Sequence, residues 1–475
     1  MKKILALLLA LACLGTLCAC GSSEPVVTEG ASDGLYPRGG FRAGFGRADV
    51  TPRESVPLSG YGNSIQRMST GIMTYLSVNV VAVDDGTTTL LLISGDYGWF
   101  SNSIAGPIIR AVGEKYGIPE ENLLFQGTHT HASMDAALTT LPAVTLEIER
   151  ARDRVLKAID DALADLKPAQ MYGGIVETEN MNFVRRYIMD DGSLIGDNYP
   201  GTGTTIVRHE SEVDNDLQLV KFVREGAKDI LIMNFQAHPQ LETRSTDVSG
   251  QTPATVREAV EERLDIHTTY WNGAAGNINS QSRIESEMRT TNMWEYGKLM
   301  ADYVEDAYDT LQPLKTGPVE VIHRDVTCQV NHTEDHLIAV ATSVNAVWTA
   351  TNNSSQALKE DPTGVIKSVY HASAILTRAS MSKTKDIPIA AFRFGDVGGV
   401  VVPYEMFDTS GMQIKSGSPY AMTMIFGYAR PGSYSYMPDE EAFKNIGYEG
   451  NQCRYIPGTA EQLVAEYLDM LEGMR

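Results

Sequence analysis

Cysteine is scarce. Five occur in 475 residues, and three of them, Cys13, Cys18 and Cys20, crowd the first twenty. The other two, Cys328 and Cys453, stand far apart and form no metal-binding spacing, although an oxidising compartment would let them pair. Beyond the N-terminal stretch, no apolar run is long enough to cross a bilayer. No internal repeat and no low-complexity linker interrupts the chain from Phe41 to Arg475, so one large domain or two intimately packed halves is expected. Positive charge is in deficit: 39 Lys and Arg face 60 Asp and Glu, a formal net charge of -21. Such a surface argues against a nucleic-acid partner and against general adhesion to anionic lipid heads. It suits the solubility of an exported protein.

The N-terminus carries the one apolar stretch. "MKKILALLLALACLGTLCAC" has two lysines, apolar residues from Ile4 to Leu17 and a small residue before Cys20. Residues 1–19 read as a secretory signal peptide. "LCAC" resembles a bacterial lipobox, in which the mature chain begins at a lipid-bearing cysteine, here Cys20. Several acyl chains, palmitate among them, are needed for a stable anchor. Residues 20–40 are rich in Gly, Ser and acidic groups and read as a flexible tether at the cell envelope. Residues 41–475 form the folded body.

Within that body, "TTTLLLISGDYGWF" and "NLLFQGTHTH" read as strands. Between them lies a helix stopped by Gly117 and Pro119. "LPAVTLEIERARDRVLKAIDDALADLKPA" has helical spacing. "LQLVKFV" and "DILIMNFQAHP" suggest a hairpin. "TPATVREAVEERLD" suggests a helix with Thr252 as N-cap and Pro253 in its first position. "IPIAAFRFGDVGGVVVPYE" gives two strands around Gly395 to Gly399, and a final amphipathic helix follows "AEQL". The mixed order of strands and helices predicts a layered α/β or α+β body with mixed sheets.

Asp96, His129, His131, His238, Asn277 and Glu405 each follow an apolar, β-rich run. Polar groups at strand ends in such proteins converge along one sheet edge, where ligands bind. In an extended segment residues two apart face the same side. His129 and His131 are thus expected to share a cavity, with Thr128 and Thr130 facing away. Imidazole and carboxylate together suit Zn2+, and an open position makes such a site catalytic. Asp96 and Asp247 can orient a metal-binding histidine, help hold a second metal with His131, or simply cap turns. His323, and His332 with His336 in "NHTEDH", read as exposed loop.

Five segments, in this order, resemble the neutral/alkaline ceramidase family: "AGFGRADVTP...LSGYGN", "GTHTHAS", "NFQAHP", "VVVPYE" and "SYSYMPDEEAFKNIGYEG". The family comprises zinc-dependent amidases. The resemblance implies zinc binding by His129, His238, Glu405 and Tyr436. It implies that His131 lies beside the metal and contacts substrate. Arg185, or else Arg186, would bind the substrate's polar head, and Tyr448 would support the reacting amide.

The chain departs from the family in two ways. Where ceramidases carry "GDVSPN" with a proposed serine nucleophile, this chain has "GNINSQ", which puts Asn277 and Asn279 at the aspartate and serine positions. Ser280 is one residue away, so zinc-bound water becomes the expected nucleophile. Asn277 and Asn279 either hydrogen-bond around the reacting carbonyl or merely form the turn. The sequence also stops soon after its last helix, without the family's C-terminal β-sandwich. The expected activity is hydrolysis of an acyl amide in an N-acyl lipid, such as a sphingolipid, or a related amide. The alternatives are a zinc esterase and an inactive ligand-binding lipoprotein.

Overall fold

The computed structural model describes residues 40–475, apart from 197–202, 243, 431–434 and 446. The signal peptide, Cys20 and the tether up to Gly39 lie outside the described residues. Gly39–Arg475 form one compact unit.

Four layers make up this body. The larger sheet has nine strands. In spatial order, eight of them are His267–Asn272, Ile230–Phe235, Asp216–Arg224, Lys167–Glu177, Arg42–Asp49, Ser77–Asp84, Thr89–Gly95 and Leu123–Gly127, and Gln312–Leu314 pairs beside Lys167–Glu177. Its central ladders are antiparallel, including the expected hairpin of Asp216–Arg224 with Ile230–Phe235. The outermost pair at each end is parallel. Each parallel pair is joined by a helix, Asn102–Tyr116 in one case and Gln251–Leu264 in the other.

The outer face of this sheet is covered by helices. Pro142–Ala164 places Val144, Ile148, Ala151, Val155 and Ile159 at three- and four-residue spacing over Val78, Val80, Leu91 and Ile93. Gly44 and Gly46 let this helix lie directly on the sheet, since a Cβ on either would strike the carbonyls of Ala162 and Ala158. Gln251–Leu264 and Met293–Tyr308 cover Leu219, Leu231 and Met233 in the same way.

The inner face meets a second sheet of four strands, Val319–Gln329, Thr384–Phe394, Val397–Val401 and Met422–Phe426. Phe392, Phe394, Met424 and Phe426 interlock with Val81, Leu92, Phe222 and Trp271. Trp271 stacks on Phe426 with centroids 3.9 Å apart. The last helix, Thr459–Gly473, buries Leu463, Tyr467 and Leu471 on the far side.

The larger sheet is joined at its middle by only two residue pairs, Arg42 with Pro168 and Ala43 with Lys167. Its two halves fold back about this joint until the end strands meet. They meet through side chains, not through a ladder. Ser94 Oγ donates to the carbonyl of Tyr270 at 2.6 Å, and Gln126 Nε2 donates to that of Asn272 at 2.6 Å.

Four local expectations change. The helix expected to be capped by Thr252 starts at Gln251 with Gly250 as its cap, and the Thr252 hydroxyl donates to Pro239 instead. His323 lies within the strand Val319–Gln329 and not in a loop, its Nε2 donating to the carbonyl of Glu121. The "NHTEDH" segment is no idle loop either, because its Glu334 pairs with buried His371 and Arg378. Cys328 and Cys453 do not pair, and both are free, buried thiols.

Candidate metal centre

The strand Leu123–Gly127 ends two residues before His129, and Ile230–Phe235 ends three before His238. These are the two carboxyl ends that the closure of the sheet brings together. Asn272, fully buried, joins them. Its Nδ2 donates to the carbonyls of Thr128 and Ala237 at 3.2 and 3.0 Å, and its Oδ1 accepts from the amide of Ala237. One side chain therefore holds the residues immediately preceding both histidines.

His129 and His131 share a cavity as expected, but not through strand alternation. His129 has φ 67°, a left-handed conformation that costs about 1–3 kcal/mol in a residue other than glycine. The turn still leaves Thr128 and Thr130 facing away, towards Asp96 and Ser249. The rings of His129 and His131 have centroids 4.8 Å apart, and those of His129 and His238 4.7 Å apart.

Backbone carbonyls set the ring tautomers. His129 Nδ1 donates to Gly98 at 3.0 Å, and His238 Nδ1 donates to Ala275 at 2.7 Å. Both Nε2 atoms are left as lone-pair donors pointing inward. They lie 3.7 and 3.3 Å from Glu405 Oε2. His131 Nε2 is 3.2 Å from His129 Nε2. His238 Nε2 and Glu405 Oε2 are buried and have no hydrogen-bond partner. Leaving such groups unmet is costly. A cation placed among them would meet every one, and the nitrogens of His129, His131 and His238 lie within 4.8 Å of one another. Burial also pushes the imidazoles down, His129 to about 3, which keeps their lone pairs available at neutral pH. The donor set fits a divalent metal.

The neighbouring groups form a second ring. Glu405 sits on a two-residue strand paired directly with Tyr436. Arg185 packs over the Tyr436 ring at 5.4 Å. Its three nitrogens go to Glu449 Oε1 at 2.9 Å, Asn279 Oδ1 at 3.4 Å and the Gly276 carbonyl at 2.8 Å. Arg186, the competing choice, is held by Glu210 and Glu449. Tyr448 lies between Tyr436 and Tyr370, with centroids 5.6 and 6.2 Å away.

Other expected residues have structural partners. Both ends of the Asn277 amide bind Asp408, at 2.7 and 3.0 Å, which favours its turn-forming reading over a place at the reacting carbonyl. The Ser280 hydroxyl donates to the carbonyl of His238. Asp96 is committed to Arg257, Ser77 and Thr128, and its hydrogen bonds reach no metal histidine. Asp247 pairs its strand with Gly71.

Several residues of the site escape a reading by histidine and carboxylate. Tyr428 stacks on His129 at 3.8 Å, and Trp99 meets the same ring edge-on at 5.7 Å. Gln240 Nε2 contacts His131. Tyr428 directly follows the apolar strand Met422–Phe426 by one glycine, so the strand-end rule applied to aromatics would have found it.

Fold and cluster together define a layered α/β protein with a buried histidine cluster at its strand ends that could hold a metal ion. Residues 41–269 match the model of the neutral/alkaline non-lysosomal ceramidase N-terminal domain. The fold is shared with a neutral ceramidase from Pseudomonas aeruginosa at TM-score 0.68 and 18% identity, covering 92% of this chain and 74% of that one. A ceramidase complexed with C2 gives TM-score 0.69 at 16% identity, over 92% and 75% of the two chains.

Asn272 offers a direct test of how the site is held. Asn272→Ala leaves the Ala237 amide and two carbonyls unmet, at a cost of about 1–3 kcal/mol. Metal affinity should fall by about tenfold or more, as it does when supports behind metal ligands are removed. Chelator competition measures this, and an unchanged affinity would show that the clamp does not position the site.

Proposed function

We propose that this protein is a zinc-dependent hydrolase of an acyl amide, acting on an N-acyl lipid or a related amide at the cell envelope. The observation that carries the reading is the buried convergence of His129, His238 and Glu405 on one point, with the Nε2 of His238 and Oε2 of Glu405 unmet. These three residues, with Tyr436 beside Glu405, would hold the metal. Zinc in such a donor set polarises a carbonyl and lowers the pKa of water towards ~7. His131, next to the metal histidines, is placed to contact substrate. Burial pushes the Tyr448 hydroxyl up, so it stays protonated and can donate to a carbonyl oxygen. Arg185 keeps Tyr436 and Asn279 in position. Water serves as the nucleophile, because the Ser280 hydroxyl is tied to His238. The lipobox at Cys20 supports an envelope anchor.

His129→Ala and His238→Ala should each lose stoichiometric zinc and nearly all amide hydrolysis, while circular dichroism stays native. Glu405→Gln should bind zinc more weakly, since an amide is a poorer ligand than a carboxylate. Full metal content in both histidine variants would remove the site assignment.

Ser280→Ala should keep its rate within about tenfold, and single-turnover trapping should find no acyl-enzyme. Loss of a true nucleophile would cost several orders of magnitude.

Cys20→Ser should move the protein from the membrane fraction to the soluble one. Continued fractionation with membranes would speak against lipidation.

A further inference from the structure

Most buried arginines near the site have a carboxylate: Arg185 has Glu449, Arg186 has Glu210 and Glu449, and Arg257 has Asp96. Two arginines at its mouth do not. Tyr61 lies edge-on to His131 at 5.0 Å, and Arg67 and Arg244 pack on the Tyr61 ring at 4.7 and 5.8 Å. Arg67 Nη2 donates to the carbonyls of Ser59 and His131, which ties it to the site. Its Nε and Nη1 are buried with no partner. Burial and the neighbouring charge of Arg244 both work against the charge on Arg67. Among the described residues neither arginine forms an ion pair. Arg244 has φ 57°, so its backbone is held in a conformation unusual for a side chain of this size.

Tyr61, His131 and Arg244 line a small cleft together with Ser249, Gln251 and Glu242. Glu242 is the cleft's own carboxylate. Burial and Asp247 push it up, and it forms no ion pair with either arginine.

Arg67 has two nitrogens unmet, the exposed Arg244 packs on the same ring without an ion pair, and an anion from outside would answer both in a chain with a 21-charge acidic excess. We propose that Arg67 and Arg244 bind an oxyanion, a carboxylate or a phosphate, on the substrate's head group next to the scissile amide. This rests on the amide-hydrolase reading and narrows it to N-acyl compounds with an anionic head. Arg185, the residue expected to take the polar head, already has a protein partner on every nitrogen. Recognition therefore passes to the pair in front of His131. Glu242 is left to meet a neutral hydroxyl or amide of the same head group.

The test uses the zinc-loaded full chain and three ligands: N-hexanoylglycine, N-hexanoylethanolamine phosphate and neutral N-hexanoylethanolamine. Calorimetry reads binding, and product release reads hydrolysis. At low salt the wild type should bind at least one anionic ligand about tenfold or more tightly than the neutral one, and the margin should shrink as salt rises. Whether carboxylate or phosphate leads identifies the head group. In Arg244→Ala and Arg67→Met the anionic-to-neutral ratio should fall towards one. Arg67→Lys should recover part of it, because charge is kept but the fork is lost. Arg244 is exposed, so its variant stays informative even if Arg67→Met fails to fold. Equal affinities in the wild type, or an unchanged ratio in Arg244→Ala and Arg67→Met, would overturn the proposal. Binding preference without cleavage would sink the hydrolase reading and leave the anion cleft standing. Cleavage without preference would do the reverse.

Discussion

The side chain of Asn272 is the point on which the site depends. A nine-stranded sheet ordinarily keeps its end strands far apart. Here the two halves fold about a two-pair joint, and the end strands meet with no ladder between them. A buried amide does what the ladder does not, tying Thr128 to Ala237 across the seam. Each of these residues precedes a metal histidine. The amide is itself fully engaged, so the join carries little desolvation penalty. Gly98, Ala275 and Ile278 then add carbonyls that orient the rings. The left-handed His129 survives because backbone and ring are fixed from both sides.

A second constraint is electrostatic. A dry site meant for a cation cannot tolerate two uncompensated guanidinium groups beneath it. Glu449 resolves this by bridging Arg185 and Arg186, with Glu210 sharing Arg186. Burial pushes Glu405 up, while His129 and Arg185 favour its charged form. Because Glu449 is the direct partner of both arginines, Glu405 Oε2 remains unmet and faces the histidines. A single carboxylate there would have to serve both purposes and could do neither well.

Much of this was legible in the chain. Apolar runs marked the strands, and polar residues just after them marked the cluster, because backbone geometry places strand ends on one edge whatever the details. The family resemblance named His129, His238 and Glu405 from short motifs. What was not legible is instructive. The stacking of Val319–Gln329 and its partners onto the larger sheet comes from faces whose sequence partners are hundreds of residues apart. The left-handed turn at His129 follows a strand that alternation alone would have continued. Arg67 and Arg244 lie in segments with no periodicity, so nothing local marks them. Cys328 and Cys453 were compatible with a bond, and only the structure, in which both are free and each Sγ donates to a nearby carbonyl, shows otherwise.

The turn "GNINSQ" is bound into the scaffold of the site. Its backbone is wholly given to support. Ala275 and Ile278 accept from His238, Gly276 accepts from Arg185, and Asn277 accepts from the Arg185 amide. Gly276 packs so closely on the carbonyls of Glu405 and Met406 that a Cβ would collide with both. The side chains follow suit: Asn277 holds Asp408, Asn279 accepts from Arg185 and Ser280 holds the carbonyl of His238. A nucleophile needs a hydroxyl that is free to approach a carbonyl and a base to take its proton. This turn has neither, because its hydroxyl already donates within the scaffold. Its work is to fix His238 and Arg185.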